Sequence, residues 1–340
     1  MINVNIIYQS KRVLFSQHFN APAIGGCINF YENSSLDLLW DVVVVFEGLS
    51  TEINVRVRDG GLIFISGEPI ESTVYVANFI KQFDMVYSVH PEAKCSKTWI
   101  NKQYFNDWHF GLDYTTHKHK YSFLELLEMK MPEKTHDISI ITSSLNILPQ
   151  HLKRIQFLDK IKTHFGNKID YFGRGHNFVA DKAEALCKYR FHICIENCSV
   201  ENLWTEKIAD PLLAFCVPIY FGCSNINSYF PDKSYLSLNI NDIDGSIKLI
   251  SDVLSRSSDI YQNMLPHMVE ARGRVLNEYN ICTEILNIYK QLDLGCKSSA
   301  ARKIVPNEFY YKHRVLNSRL RVRRLAFRTM FKIKNLLYPQ

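Results

Sequence analysis

Short, predominantly apolar runs rich in β-branched residues recur along this 340-residue chain, and they narrow sharply what it can fold into. Asp41-Val-Val-Val-Val-Phe46 and Leu62-Ile-Phe-Ile65 lie in the first third; Phe191-His-Ile-Cys-Ile195 and Val217-Pro-Ile-Tyr-Phe221 lie further on. A strand with one wet face alternates apolar and polar residues. Runs without alternation suit strands covered on both faces, as in a parallel sheet flanked by helices. Asn3–Tyr8, Phe83–Tyr87, Asp137–Thr142 and Ile169–Phe172 read as further strands. Gln150–Thr163 carries Leu152, Ile155, Leu158 and Ile161 at helical spacing, and Phe123–Leu127, Lys182–Lys188, Thr205–Leu213 and Ile247–Arg256 read as further helices. Strand–helix alternation of this kind predicts an α/β chain with doubly wound sheets and ligands at the carboxyl ends of the strands. The length exceeds one ordinary core. A polar stretch at Tyr114–Lys120, then a helix stopped by Met131-Pro132, puts a boundary near Lys134. The expected division is 1–134, 135–300 and a tail over 301–340.

A hydrophobic fraction of 46% and a charged fraction of 22% exclude a disordered or fibrous chain. The nine cysteines form no CxxC pair, and Cys194 and Cys216 sit inside apolar runs, which fits reduced, buried thiols. Met1–Tyr8 lacks the basic and apolar regions of a signal peptide, and no apolar run has the length of a membrane span. The expectation is a cytoplasmic protein. Nine of the 40 Lys and Arg residues follow Tyr311 in an acid-free segment, which leaves 31 basic residues against 34 acidic ones elsewhere. In that tail Leu316, Leu320, Phe327 and Phe331 share one helical face beside the arginines. A basic amphipathic helix over residues 312–340 points to an anionic membrane surface, ahead of nucleic acid or a helix packed on the body.

The densest chemistry lies between Tyr189 and Pro231. An apolar strand ends in Glu196-Asn197, and Thr205-Glu206-Lys207 opens a helix. Thr205 suits an N-cap, and the free N–H groups there, with the charge of Lys207, suit a diphosphate; a capped surface helix with a salt bridge reads equally well. Arg174, between two glycines, either approaches that anion or shapes a turn. Asp242-Ile-Asp244 looks like a metal-binding pair but reads better as a solvated helix start. His117-Lys-His119 makes half a metal site. Cys187, His192, Cys194 and Cys198 invite a zinc reading, against which core packing is preferred.

Tyr189-Arg-Phe191, Glu196-Asn197, Thr205-Glu-Lys207, Val217-Pro-Ile219 and Phe230-Pro231, in that register, resemble the donor motif of glycosyltransferase family 10, the α-1,3/1,4-fucosyltransferases. Ile140–Ser144, Arg154 with Phe157-Leu158, and Asp170-Tyr-Phe-Gly-Arg174 extend the resemblance upstream, and Phe64-Ile-Ser-Gly-Glu-Pro69 resembles the family's glutamate loop. The resemblance implies a GT-B-like pair of Rossmann-like domains facing across a cleft, the first for the acceptor and the second for the sugar nucleotide. It implies inverting transfer of fucose from GDP-fucose to a glycan hydroxyl, in surface polysaccharide or lipopolysaccharide synthesis, with no metal and no cofactor beyond the donor. By the same resemblance, Arg154 and Lys207 neutralise the diphosphate, Asn197 and Glu206 hold the ribose or fucose ring, and Glu68 is the general base, with Glu71 its rival. Arg174, Glu196 and Thr205 complete the expected donor site. Such an enzyme would lie on the inner face of the membrane and would bind no nucleic acid. Two departures stand out: Leu203-Trp204 where the family has a tyrosine two residues before Thr-Glu-Lys, and Ala214-Phe-Cys216 where it has a glycine before Val-Pro. Leu203 motivates a second reading, a transferase using another nucleotide sugar. A third, a non-enzymatic adaptor acting through the tail, leaves Glu196–Lys207 unexplained.

Overall fold

Eight strands come from the first hundred residues: β1 (Ile2–Ile7), β2 (Ile28–Glu32), β3 (Leu39–Trp40), β4 (Val42–Phe46), β5 (Ile53–Arg58), β6 (Leu62–Ile65), β7 (Met85–Tyr87) and β8 (Thr98–Ile100). The computed structural model describes residues 1–10, 15–19, 28–70, 73–102, 105, 107–142, 149–173, 176–292 and 299–312. Six of these strands form a parallel sheet in the order β2-β1-β4-β6-β7-β8. The missing alternation in the apolar runs has the expected cause. Val42, Val44 and Phe46 of β4 enter one core, while Val43 and Val45 enter another on the opposite face. Ile63 and Ile65 of β6 likewise oppose Leu62 and Phe64. Helix α1 (Ala77–Ile80) covers the second face with Phe79 and Ile80.

A connecting segment with helix α2 (Phe123–Glu128), started by a Ser122–Glu125 capping box, leads to the second unit. There β9 (His136–Ile141), β10 (Asp170–Phe172), β11 (Tyr189–Ile195), β12 (Val217–Phe221) and β13 (Leu236–Ser237) form a parallel sheet in the order β10-β9-β11-β12-β13. The intervening helices are α3 (Pro149–Phe165), α4 (Ala183–Leu186), α5 (Glu206–Leu213) and α6 (Ile243–Ser255). In this sheet the strand order reverses between β9 and β11, where open α/β sheets place their ligands.

Past α6 the chain departs from its sequence-based division. Helices α7 (Ser257–Asn277) and α8 (Ile281–Gln291) follow. The Tyr87 hydroxyl donates to the Glu284 carboxylate on α8 at 2.7 Å, which ties α8 to the first unit. β14 (Ser299–Ile304) then pairs antiparallel with β5, and helix α9 (Asn307–Lys312) begins with Asn307, whose side chain bonds Val76 and Val74. The segment expected to open the tail, 301–304, is therefore a strand of the first unit, with Ile304 fully buried. Its sequence, SAARKI, is that of an edge strand with little apolar content, which is why no run announced it. Residues 313–340, with most of the tail's cations, lie outside the described residues.

The glycine that Ala214-Phe-Cys216 lacks has a structural counterpart. Phe215 takes a left-handed φ of +55° after α5, a conformation in which a non-glycine residue costs roughly 1–2 kcal/mol. Its surroundings hold it there. Tyr261 donates to its carbonyl at 2.8 Å, and the Arg272 guanidinium lies 4.3 Å from the ring centroid while bonding the carbonyls of Leu213 and Leu126.

Candidate active site

The carboxyl end of β11 carries Glu196 beneath the start of α5. Thr205 caps the helix with its hydroxyl oxygen and donates its own proton to Glu196 at 2.8 Å; its backbone N–H donates to the same carboxylate at 2.9 Å. Lys207 bridges this layer to the next residue of the helix, with Nζ 3.5 Å from Glu196 and 3.4 Å from Glu206. Gly222 makes room below: a Cβ there would stand 2.3 Å from Glu196 Cγ, so no larger residue fits without displacing the carboxylate. Although burial works against it, the Lys207 ammonium is held above its ordinary pKa by Glu206 and Glu196. Burial pushes Glu196 up, opposed by Lys207. Glu206 is half-buried; against the effect of that desolvation, Lys207 and Lys182 hold it well below the carboxylate range. Two carboxylates that share the Lys207 ammonium are thus driven in opposite directions.

Arg154 reaches the same place from α3. It is 8% exposed, donates from Nη1 to Asn197 Oδ1 at 2.9 Å, and has no carboxylate within ion-pair distance among the described residues. Its Nε likewise has no partner among them. Burial lowers its pKa, and the more distant Glu196 only partly offsets this. A buried guanidinium in this state is costly until an anion arrives.

A second wall of the site lies outside the motif that the sequence made visible. The connecting segment is fastened to the second unit by two buried carboxylates. Asp210 Oδ1 accepts from the backbone N–H groups of His109 and Phe110, and Asp181 Oδ1 accepts from Gly111 and Ala183. Lys182 completes the Asp210 set at 2.6 Å and stands 3.7 Å from Glu206; against the effect of burial, these two carboxylates hold its pKa above the usual lysine range. The docked segment brings His109, bonded to Asp107 and Tyr114, to 4.0 Å from Glu206. His109, Tyr114, Lys182 and Asp210, together with Arg154, Glu206, Lys207 and the apolar Ile140, Leu158 and Val179, line a cavity of about 500 Å³, within the range of small-molecule sites. His109, Tyr114, Lys182 and Asp210 escape sequence reading because no spacing links residues brought together only by this docking.

Arg154, Asn197, Glu196, Thr205, Glu206 and Lys207 are therefore gathered at one point. Arg174 lies outside the described residues, although Gly173 before it lines the cavity with a φ of +109° and has no room for a Cβ against Thr142. Glu68 stands apart from the charge cluster, exposed on the first unit just past β6. Its loop nonetheless touches the second unit: Ile70 and Val89 pack with Cys198, Val200 and Leu203, the stretch between Asn197 and Thr205. The family departure Leu203 is thus a packing residue, 1% exposed, and Trp204 packs edge-on against Phe230 of the Phe-Pro motif at 5.0 Å. Cys194 belongs to the main core and Cys198 to the small cluster beside Ile70. Asp242 caps α6 through Gly245 at 3.0 Å.

A parallel sheet in each unit, with the loop before α5 packed against a loop of the other unit, is the two-domain arrangement of the GT-B fold. Residues 131–265 match the family model of glycosyltransferase family 10 (fucosyltransferase), C-terminal part. The α-(1,4)-fucosyltransferase of Arabidopsis thaliana is 33% identical over 125 residues, 31% of this chain and 31% of that protein. The α-(1,3)-fucosyltransferase FucT of Helicobacter pylori is 33% identical over 92 residues, 27% of this chain and 19% of that protein. The matched stretches thus span less than a third of these curated relatives. A crystal structure of an α1,3-fucosyltransferase with GDP shares the fold, with a TM-score of 0.53 and 16% identity, covering 85% of this chain and 89% of that one.

Proposed function

We propose that the chain is an inverting fucosyltransferase, moving fucose from GDP-fucose to a hydroxyl of a glycan acceptor in surface polysaccharide or lipopolysaccharide synthesis. The observation that carries this reading is Arg154, a buried guanidinium without a carboxylate partner among the described residues, set beside Lys207 at the N-terminus of α5. Both cations suit the diphosphate that leaves as the sugar's anomeric carbon acquires oxocarbenium character; arginine binds phosphate bidentately and lysine as a point charge. Asn197 and Glu206 suit ribose or fucose hydroxyls, with Glu196 and Thr205 as their support. Glu68, from the first unit, suits the base that takes the acceptor proton. No divalent cation is required in this scheme, because the protein supplies the positive charge.

A donor screen by thermal shift tests it. GDP-fucose at a hundred times its dissociation constant should stabilise the protein by about 2.7 kcal/mol, and fucose should then appear on a galactose- or N-acetylglucosamine-containing acceptor. Stabilisation by a different nucleotide sugar, with none from GDP or GDP-fucose, would move the assignment to that donor.

The basic segment 312–340 is proposed to hold the enzyme peripherally on the inner, cytoplasmic face of an anionic membrane. Truncation before Arg314 should release the protein from anionic vesicles and leave turnover on a soluble acceptor intact. Equal vesicle binding by the two forms would assign the segment to the protein body instead.

A further inference from the structure

We infer that His192 reads the nucleobase of the donor, its Nε2 accepting a hydrogen bond from an N–H on the base edge, as guanine presents with its ring N–H and 2-amino group. The inference rests on the donor-site reading above and adds to it the group that selects the base.

The first support is the hydrogen-bond logic around the imidazole. Ser139 Oγ lies 2.6 Å from the Ala185 carbonyl oxygen and 2.8 Å from His192 Nδ1. A carbonyl only accepts, so the single hydroxyl proton of Ser139 goes to Ala185. Nδ1 must then carry the imidazole proton and donate to Ser139 Oγ. In the neutral ring Nε2 is left as a bare acceptor. Burial, with the nearby charge of Lys182, pushes the His192 pKa down to about 3, so the ring stays neutral at any working pH.

The second support is where that acceptor lies. His192 is 5% exposed and lines the donor cavity, and Nε2 has no partner among the described residues. Nε2 is not among the fully buried unpaired side-chain atoms, so it opens to the cavity, where a ligand N–H can meet it. Strand alternation puts His192, Cys194 and Glu196 on one face of β11, with Lys207 over Glu196. Four residues of strand span about 13 Å, a separation that a nucleoside bridges between base edge and diphosphate. The same cavity is lined by Ile140, Leu158, Val179 and Leu186, apolar side chains suited to the faces of a planar base.

The test compares GDP with base-less ribose 5-diphosphate on the full chain by calorimetry. His192→Asn keeps an amide donor where Nδ1 stands and removes the acceptor at Nε2; His192→Gln places an amide oxygen near Nε2. His192→Asn should lose about tenfold in GDP affinity, equivalent to about 1.4 kcal/mol, with ribose 5-diphosphate affinity unchanged. His192→Gln should recover part of the GDP affinity. In ¹⁵N NMR of the wild type, the His192 Nε2 signal should move on adding GDP and stay in place on adding ribose 5-diphosphate. Equal weakening of both ligands, or unchanged GDP affinity in His192→Asn, would overturn the assignment while leaving the donor site standing. Should His192→Asn fail to fold, the NMR comparison alone decides it. Failure of the wild type to bind any nucleoside diphosphate would instead remove the donor reading itself.

Discussion

Replacing Lys207 with alanine should weaken donor binding by roughly 10- to 150-fold, the equivalent of the 1.5–3 kcal/mol typical of a charge-assisted hydrogen bond, and should lower turnover further. The turnover loss is expected because the leaving diphosphate gains charge as the sugar departs, so a cation beside it contributes more in the transition state than in the ground state. Arg154→Ala should weaken donor binding in the same range, by a cleaner route. Lys207 also compensates Glu196 and Glu206, at 3.5 and 3.4 Å, so its removal leaves the buried Glu196 and the half-buried Glu206 short of a cation. Arg154 has only the neutral Asn197 as a described partner. The two variants should therefore differ without ligand: Lys207→Ala should melt lower than the wild type, whereas Arg154→Ala should melt near it or above it. Titration with GDP and melting of the apo proteins measure the two effects separately. Unchanged donor affinity and turnover in both variants would remove the diphosphate assignment.

The contrast between those two residues bears on what the sequence could reveal. Lys207 and Arg154 were both legible, because each sits in a motif whose pieces fall in order along one domain. β4, β6 and β12 were legible for a simpler reason: a strand covered on both faces is apolar along its length, and Val42–Phe46 is. The rest depends on contacts that no local pattern encodes. Asp210 reads in sequence as one polar residue of an amphipathic helix. In the fold it is 1% exposed and binds two backbone N–H groups a hundred residues away, at His109 and Phe110. His192 reads as a polar interruption of a core strand, and only the Ser139 contact reveals which of its nitrogens is free to accept. β14 forms because β5 offers it an edge, in a separate three-stranded sheet of order β14-β5-β3, not because SAARKI has a strand signature of its own. The sequence pattern thus gave the scaffold and the motif-borne cations, while the docking of the connecting segment added the remaining wall of the site.

Replacing Glu68 with glutamine should lower the rate of transfer by on the order of a hundredfold or more, with donor affinity nearly intact. Glu68 follows β6 at the carboxyl end of a parallel sheet, where α/β folds collect their reactive groups. Pro69 keeps its backbone out of the helical region, so the loop leaves the strand extended. His90 fixes that loop: a carbonyl only accepts, so Nε2 carries the proton and donates to the Glu68 carbonyl at 2.9 Å. Ser66 below is buried and donates to Ser88 at 2.9 Å. Two residues further on, Ile70 packs against Leu203 and Cys198, which ties the glutamate loop to the segment that links Asn197 to Thr205. An acceptor hydroxyl entering between the two units would meet a carboxylate from one side and the donor sugar from the other. Glutamine keeps the shape of the side chain and removes its basicity, so a loss of rate without a loss of GDP affinity isolates proton removal. Two neighbouring carboxylates serve as controls. Glu47 ends the adjacent strand β4 with a left-handed φ of +61°, and a Cβ on Gly67 would touch its side chain. Glu71 lies outside the described residues. Normal transfer by Glu68→Gln together with a collapse in Glu47→Gln or Glu71→Gln would move the base to that residue, and normal transfer by all three would place it off this loop altogether.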